Sequence, residues 1–374
     1  MKVLLLGNPE SAHTIKWAEA LAVKGVRVYL LSLNRVSEDL FAGHPNIKIK
    51  SMGLSNRFVM QKHPRFLKII YLRILPEIKR VIRDFKPDIL HSHYVSSYGL
   101  LGALTGFHPY LISIWGSDIY RFPYQSWINR ALVQYSLNRA DTILSTSNNM
   151  VYQVKKFTSN SVKVIPFGID TDVFRPINLN GNGNTFVIGT VKHLKKIYGI
   201  DILVKAFKNI TDKNPGLDLN LLIVGEGRQR KSLEKLADKL GISQKVEFAG
   251  DVDHEWVPYY INRMDVFAAL SVCNESFGVS VLEAGACQKP VVVSDVSGFN
   301  EIVKDHYTGL VVPRNEVSKS AEAIHRLIYD NSLRNELGKN ARNHVEKNYG
   351  FHNSINCMLK IYNQILRVNV REKE

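Results

Sequence analysis

Short apolar runs alternate with amphipathic stretches along nearly the whole chain, and this alternation constrains the fold more than any other feature. In the first half the runs are Val3 to Leu6, Val26 to Leu33, Ile47 to Met52, Asp88 to His93, Tyr110 to Trp115, Thr142 to Ser147 and Val162 to Pro166. Each is too short for a globular helix, and together they have the composition of strands buried on both faces. Helical patterns fill the gaps, including Thr14 to Val23 and Pro64 to Phe85. A parallel, doubly wound α/β sheet is the architecture that buries such strands. After a polar break at Asn178 to Asn184 the theme repeats, with runs at Thr185 to Val191, Leu219 to Val224, Val246 to Ala249, Val266 to Leu270, Val291 to Ser294 and Leu310 to Val312. Three helical stretches, starting at Val317, Ser332 and Phe351, close the chain.

A chain of 374 residues exceeds the size at which a single core keeps growing, so two domains are expected. The opening Met1 to Gly7 is too short for a signal-peptide core and stops at a Gly-Asn-Pro turn, and no apolar run reaches spanning length. A cytoplasmic protein is expected. Cys273, Cys287 and Cys357 have no metal-ligand spacing and are expected to be reduced packing residues.

The charge is unevenly divided. Residues 1 to 168 hold 22 Lys and Arg against 9 Asp and Glu, and residues 169 to 374 hold 27 against 25. The basic half is expected to meet an anionic partner: nucleic acid, a membrane leaflet or a phosphorylated acceptor. No basic-aromatic recognition module supports nucleic acid. The densest basic stretch, Arg57 to Arg83, interleaves eight Lys and Arg with apolar residues. It reads either as a helix lying on an anionic membrane or as a core helix with a solvated basic face.

The chemistry concentrates where strands end. In Asn274-Glu275-Ser276-Phe277-Gly278-Val279-Ser280-Val281-Leu282-Glu283 a polar loop follows an apolar strand and opens a helix near Gly278. The unpaired first amides of that helix, with the dipole behind them, favour a phosphate. At 1.5 Å of rise per residue Glu283 lies roughly 7 to 8 Å further along, about the size of a nucleoside. Glu283 can then accept from a ribose while Glu275 reaches the sugar beyond the phosphates. Lys192, Lys195 and Lys196 follow another strand and supply the positive charge that a diphosphate near two carboxylates requires. Gly225-Glu226-Gly227-Arg228 ends the next strand but lacks the third Gly of a dinucleotide fingerprint. In the first half His93 and Asp118 each follow a strand, and Asp118 reads equally as a helix cap.

The segment Glu275 to Glu283 resembles the Glu-x7-Glu donor motif of the retaining family 4 glycosyltransferases, which have the GT-B fold. Pro166-Phe-Gly-Ile-Asp-Thr-Asp-Val-Phe-Arg-Pro176 resembles the family's hinge, Pro-x-Gly-Ile-Asp-x-x-x-Phe-x-Pro. The resemblance implies two Rossmann-like, doubly wound parallel-sheet domains facing each other across a cleft. Residues 1–168 would bind the acceptor, residues 169–350 the nucleotide-sugar, and a helix within 351–374 would cross back to the first domain. It implies transfer with retention from a UDP- or GDP-linked sugar to a glycan or polyprenyl-diphosphate-linked acceptor, in bacterial polysaccharide or lipopolysaccharide assembly, with peripheral contact at the inner membrane face.

On this reading the donor lies against Lys192, Lys196, Gly225, Arg228, Ser276, Phe277, Gly278, Val279 and Glu283, while Glu275, Asp118 and His93 are the catalytic candidates. The sequence departs from the family in three places, the first two being Lys192 where an Arg is usual and Tyr198 where a Lys is usual. Asp118 takes the place of a family histidine. With lysines neutralising the diphosphate and no Asp-x-Asp in place, no metal and no cofactor beyond the co-substrate are expected. A sugar-nucleotide-binding subunit without turnover is one alternative, and a basic nucleic-acid-binding protein a lesser one.

Overall fold

All thirteen apolar runs become strands in a computed structural model, which describes residues 1–54, 64–179 and 185–371. The chain divides into two units, Met1–Phe167 with Ser354–Glu374, and Gly168–Asn353.

In the first unit β1 (Lys2–Leu6), β2 (Arg27–Asn34), β3 (Ile47–Leu54), β4 (Ile89–His93), β5 (Tyr110–Ile114), β6 (Thr142–Ser145) and β7 (Val162–Val164) form one sheet in the order β3-β2-β1-β4-β5-β6-β7. Every pairing is parallel. Between the strands lie α1 (Ala12–Val23), α2 (Pro64–Phe85), α3 (Tyr98–Thr105), the single turn α4 (Ser117–Tyr120), α5 (Trp127–Arg139) and α6 (Asn148–Val154). β4 and β5 are buried along their whole length. Helices on both faces leave no solvated side, which is why these strands read as unbroken runs rather than alternating ones. Ser126 and Ser147 start α5 and α6 by accepting from the Asn129 and Met150 amides, each at 3.1 Å.

The second unit carries β8 (Phe186–Val191), α7 (Ile200–Lys213), β9 (Leu219–Val224), α8 (Arg230–Lys239), β10 (Val246–Gly250), α9 (Val257–Asn262), β11 (Val266–Ala269), α10 (Val279–Ala286), β12 (Val291–Ser294), α11 (Ser297–Ile302) and β13 (Gly309–Val312), then α12 (Val317–Tyr329) and α13 (Asn331–Tyr349). Its sheet is again parallel, in the order β10-β9-β8-β11-β12-β13. Phe207, Ile210, Leu221, Ile223 and Leu327 are among the side chains of its core. The last helix, α14 (Phe351–Arg371), contributes Ile355, Met358 and Tyr362 to the buried interior, and from Ser354 it belongs to the first unit.

Two expectations are refined. Of the three cysteines only Cys287 is a packing residue, its thiol pushed up to about 12 by burial; Cys273 and Cys357 are exposed. Of the basic stretch Arg57 to Arg83, residues 55–63 lie outside the described residues. From Arg73 onward α2 packs Ile74, Ile78 and Val81 into the core and turns Arg73, Lys79, Arg80 and Arg83 to solvent. That half is a core helix with a solvated basic face. Its Glu77, paired with Lys50, has a carboxyl held below the usual range by that ammonium. Among the described residues no helix is long and apolar enough to cross a membrane.

Candidate functional site

In an open parallel sheet, ligands sit beyond the carboxyl ends of the strands where the strand order reverses. In the second unit that point lies between β8 and β11. Lys192 follows β8 directly, and Glu275 lies in the loop between β11 and α10. The structure brings these two together: Lys192 Nζ is 3.0 Å from Glu275 Oε1, with the side chains only 15% and 12% exposed. The Ser271 hydroxyl donates to the same oxygen at 2.6 Å. The ammonium also lies 4.6 Å from the Tyr198 ring centre and 5.9 Å from that of Phe299. Tyr198, which stands where a lysine was expected, thus holds a cation by its ring face instead of supplying one.

Beside this pair the chain enters α10 through Gly278, whose φ of +104° lies in a region other residues rarely adopt. Val281 and Leu282 N–H bond back to Gly278 O at 3.1 and 3.3 Å. Among the described residues the Ser280 hydroxyl is buried without a partner at this helix mouth. Phe277 points inward, its ring 5.8 Å from that of Tyr349, and anchors the loop. One turn on, Glu283 is 5% exposed. Its Oε1 accepts from His254 Nε2 at 2.9 Å, and the imidazole packs at 5.4 Å from the buried Phe174 ring of the Pro166 to Pro176 segment. A buried carboxylate needs such a donor, because desolvation without one costs several kcal/mol.

The glycine turn after β9 has a structural reason. A Cβ on Gly225, which has φ +128°, would come within 2.2 Å of Lys192 O, and one on Gly227 within 2.4 Å of Leu194 O. Leu194 N donates to Glu226 O at 2.9 Å, and Gln229 N to Leu194 O at 3.0 Å. The two loops are laced backbone to backbone, and that lacing fixes where Lys192 stands. Glu226 pairs with Arg230 at 2.8 Å, whereas Arg228 and Lys196 are both exposed.

In the first unit the order reverses between β1 and β4. His91 and His93 end β4, and both are buried. His91 bonds Tyr362 OH at 2.7 Å through Nδ1 and Ser113 Oγ at 2.8 Å through Nε2, and burial depresses it to about 3. His93 lies 3.3 Å from Thr14 Oγ1 and 4.4 Å from the Trp115 ring centre. Burial, then the neighbouring His91 and His13, hold it well below the usual histidine range, so it is neutral. His13 stacks on Phe167 at 4.0 Å.

Asp118 corrects an expectation. Its Oδ2 accepts from Val95 N at 2.9 Å, and its Oδ1 from Gly116 N at 2.8 Å and Trp115 N at 3.3 Å. Burial raises its pKa against the pull of those amides. Gly116, not Asp118, caps α4. A carboxylate 2% exposed and engaged by three backbone donors fastens the loop after β4 to the loop after β5. His254 was missed; its one signal was its place beyond the carboxyl end of a predicted strand.

Comparison with known proteins adds an independent line. Residues 2–147 match the family model described as glycosyl transferase 4-like, and residues 174–344 match glycosyl transferases group 1. The chain is 27% identical over 290 residues, 77% of its length and 78% of the relative's, to an uncharacterized glycosyltransferase of Methanocaldococcus jannaschii. It is 29% identical over 245 residues to the capsular polysaccharide biosynthesis glycosyltransferase CapM of Staphylococcus aureus, covering 61% of this chain and 63% of that one. Among solved structures, the Anabaena protein HepE in complex with UDP is similar with a TM-score of 0.81, at 18% identity, over 97% of this chain and 100% of that one. At that identity the likeness concerns the fold.

Proposed function

Because this chain belongs to the family 4 glycosyltransferases of the GT-B fold, we propose that it moves a sugar, with retention, from a UDP- or GDP-linked donor to a glycan or polyprenyl-diphosphate-linked acceptor. The assembly of a bacterial surface polysaccharide or lipopolysaccharide is the setting that its likeness to CapM supports. The observation that carries the donor assignment is the shielded Lys192–Glu275 pair, set at the switch point beside the mouth of α10.

In the proposed complex the diphosphate lies between Lys192 and the first amides of α10, with Lys196 approaching from the surface. Glu283, oriented by His254, accepts from the pentose, and the Gly225 turn with Arg228 borders the base. Glu275 turns from Lys192 toward the transferred sugar. As the glycosidic bond breaks, negative charge grows on the leaving diphosphate, where a fixed ammonium and helix amides stabilise it without reorganising. The acceptor hydroxyl attacks from the face the diphosphate leaves, so no second enzyme carboxylate across the sugar is needed. Lysine charge takes the part a divalent metal would otherwise play. The basic first unit attracts a phosphorylated, membrane-borne acceptor. That HepE was solved with UDP supports a uridine donor first.

A thermal-shift panel of UDP, GDP, ADP and their sugars tests this. One nucleotide series is expected to stabilise the protein, with or without chelator. Lys192→Ala and Glu283→Ala should each weaken that nucleotide about 10- to 100-fold, the loss of one charge-assisted contact or buried acceptor. Undiminished binding in both variants would remove the donor from this site.

A further inference from the structure

The first unit has an outward face that neither its core nor the proposed chemistry uses. Trp127 is 79% exposed, Tyr152 74% and Tyr124 54%. On α5 the positions Trp127, Ala131 and Tyr135 follow one another at four-residue spacing, with Ile128 beside them, and all face solvent. Asn129, Val133, Ser136 and Leu137 face inward. The outer stripe of this helix is therefore more apolar than solvation requires, the reverse of an ordinary surface helix. The segment from α6 to Phe157 adjoins Tyr124. Gln153 Nε2 donates to Tyr124 OH at 2.5 Å, and the Phe157 ring lies 5.8 Å from that of Tyr124 and 5.1 Å from the Arg130 guanidinium.

Its charge identifies what it meets. Between Ile119 and Ile169 the sequence has six Lys and Arg and a single acid, Asp141. Tryptophan and tyrosine rings favour a boundary where one end is apolar and the other wet. Arg130 beside Phe157 and Arg139, 5.5 Å from the Tyr135 ring, put positive charge among these rings, which favours anionic headgroups. The described part of α2 differs: its solvent face is basic, and no large hydrophobic side chain there is exposed. That part can attract a charged surface from a distance.

We propose that the face formed by Tyr124, Trp127, Ile128 and Tyr152 is a membrane anchor, which seats its aromatic side chains at the headgroup and acyl-chain boundary of an anionic bilayer. This deepens the membrane attraction proposed above by separating steering, which α2 and the general positive charge supply, from insertion, which this face supplies. It is independent of the sugar transferred.

The test is sedimentation of the full chain with vesicles of phosphatidylglycerol and phosphatidylcholine, against phosphatidylcholine alone. The wild type is expected to bind the anionic vesicles. Trp127→Ser with Ile128→Ser should lower the partition coefficient roughly tenfold or more. The thermal midpoint should fall only slightly, because Trp127 is 79% and Ile128 37% exposed, and Trp127→Phe should retain most of the binding. Lys79→Gln with Arg83→Gln should weaken binding and flatten its salt dependence. If the Trp127 and Ile128 variant binds as well as wild type while the α2 variant does not, attraction stands and the anchor is refuted. Failure of the wild type to bind either vesicle overturns the proposal. So does a wild-type dimer that binds no vesicle and becomes a monomer in the Trp127 and Ile128 variant.

Discussion

Lys192 shows how a residue's place in this protein is set by backbone it does not belong to. Its carbonyl is pressed against Gly225 and its ammonium is claimed by Glu275, Tyr198 and Phe299. Gly225→Ala should therefore act twice. It places a Cβ against a carbonyl and forces alanine into a glycine conformation, a loss of about 2–4 kcal/mol, and it displaces Lys192 from its partners. The expected result is a lowered thermal midpoint together with weakened nucleotide binding. A stable variant with intact binding would show that the two loops can separate freely. The glycines were legible in the sequence, but their reason was not, because Gly-x-Gly after a strand has the same letters whether it makes room for a ligand or for another loop. His254 was illegible for a different reason: its contact with Glu283 joins residues 29 apart in sequence, and no local pattern encodes it.

Among the elements, β4 carries an unusual load for a central strand, with two histidines inside a sheet buried on both sides. Their folded pKa values lie below the unfolded value of about 6.5, near 3 for His91 and well depressed for His93. Groups shifted this way contribute stability that is whole above the unfolded pKa and is lost as pH falls below it. Between pH ~7.5 and ~5.5 each should cost the fold about 1.4 kcal/mol, since the unfolded chain takes up protons that the native strand refuses. Urea unfolding at the two pH values measures this, and His91→Gln, which cannot titrate, should shrink the difference by about 1.4 kcal/mol. Equal midpoints at both pH values would mean that the histidines accept protons in place. The strands themselves were the most legible elements, because parallel strands covered on both sides leave unbroken apolar runs. The direction of α5 was not legible. Trp127, Ile128 and Tyr135 have the composition of an inner face, and only tertiary packing shows that Asn129 and Ser136 turn inward instead.

The whole molecule repeats one topology, since β3-β2-β1-β4 and β10-β9-β8-β11 place their strands identically, yet its two units differ in continuity. The second is one stretch of sequence; the first is completed by residues from Ser354 onward. Tyr362 is fully buried there, and its hydroxyl is a partner of His91. Ending the chain at Asn353 should therefore leave His91 Nδ1 unpaired and open the space now filled by Ile355, Met358 and Tyr362. The first unit should unfold well below its normal temperature, while nucleotide binding, which the proposed complex puts in the second unit, should persist. Calorimetry of the truncated chain with and without nucleotide checks this, and an unchanged first unit would make the last helix dispensable. Domains are commonly completed in the order in which they leave the ribosome. Here the first unit waits for a tyrosine that follows the whole of the second unit in the sequence, so the unit begun second can be finished first.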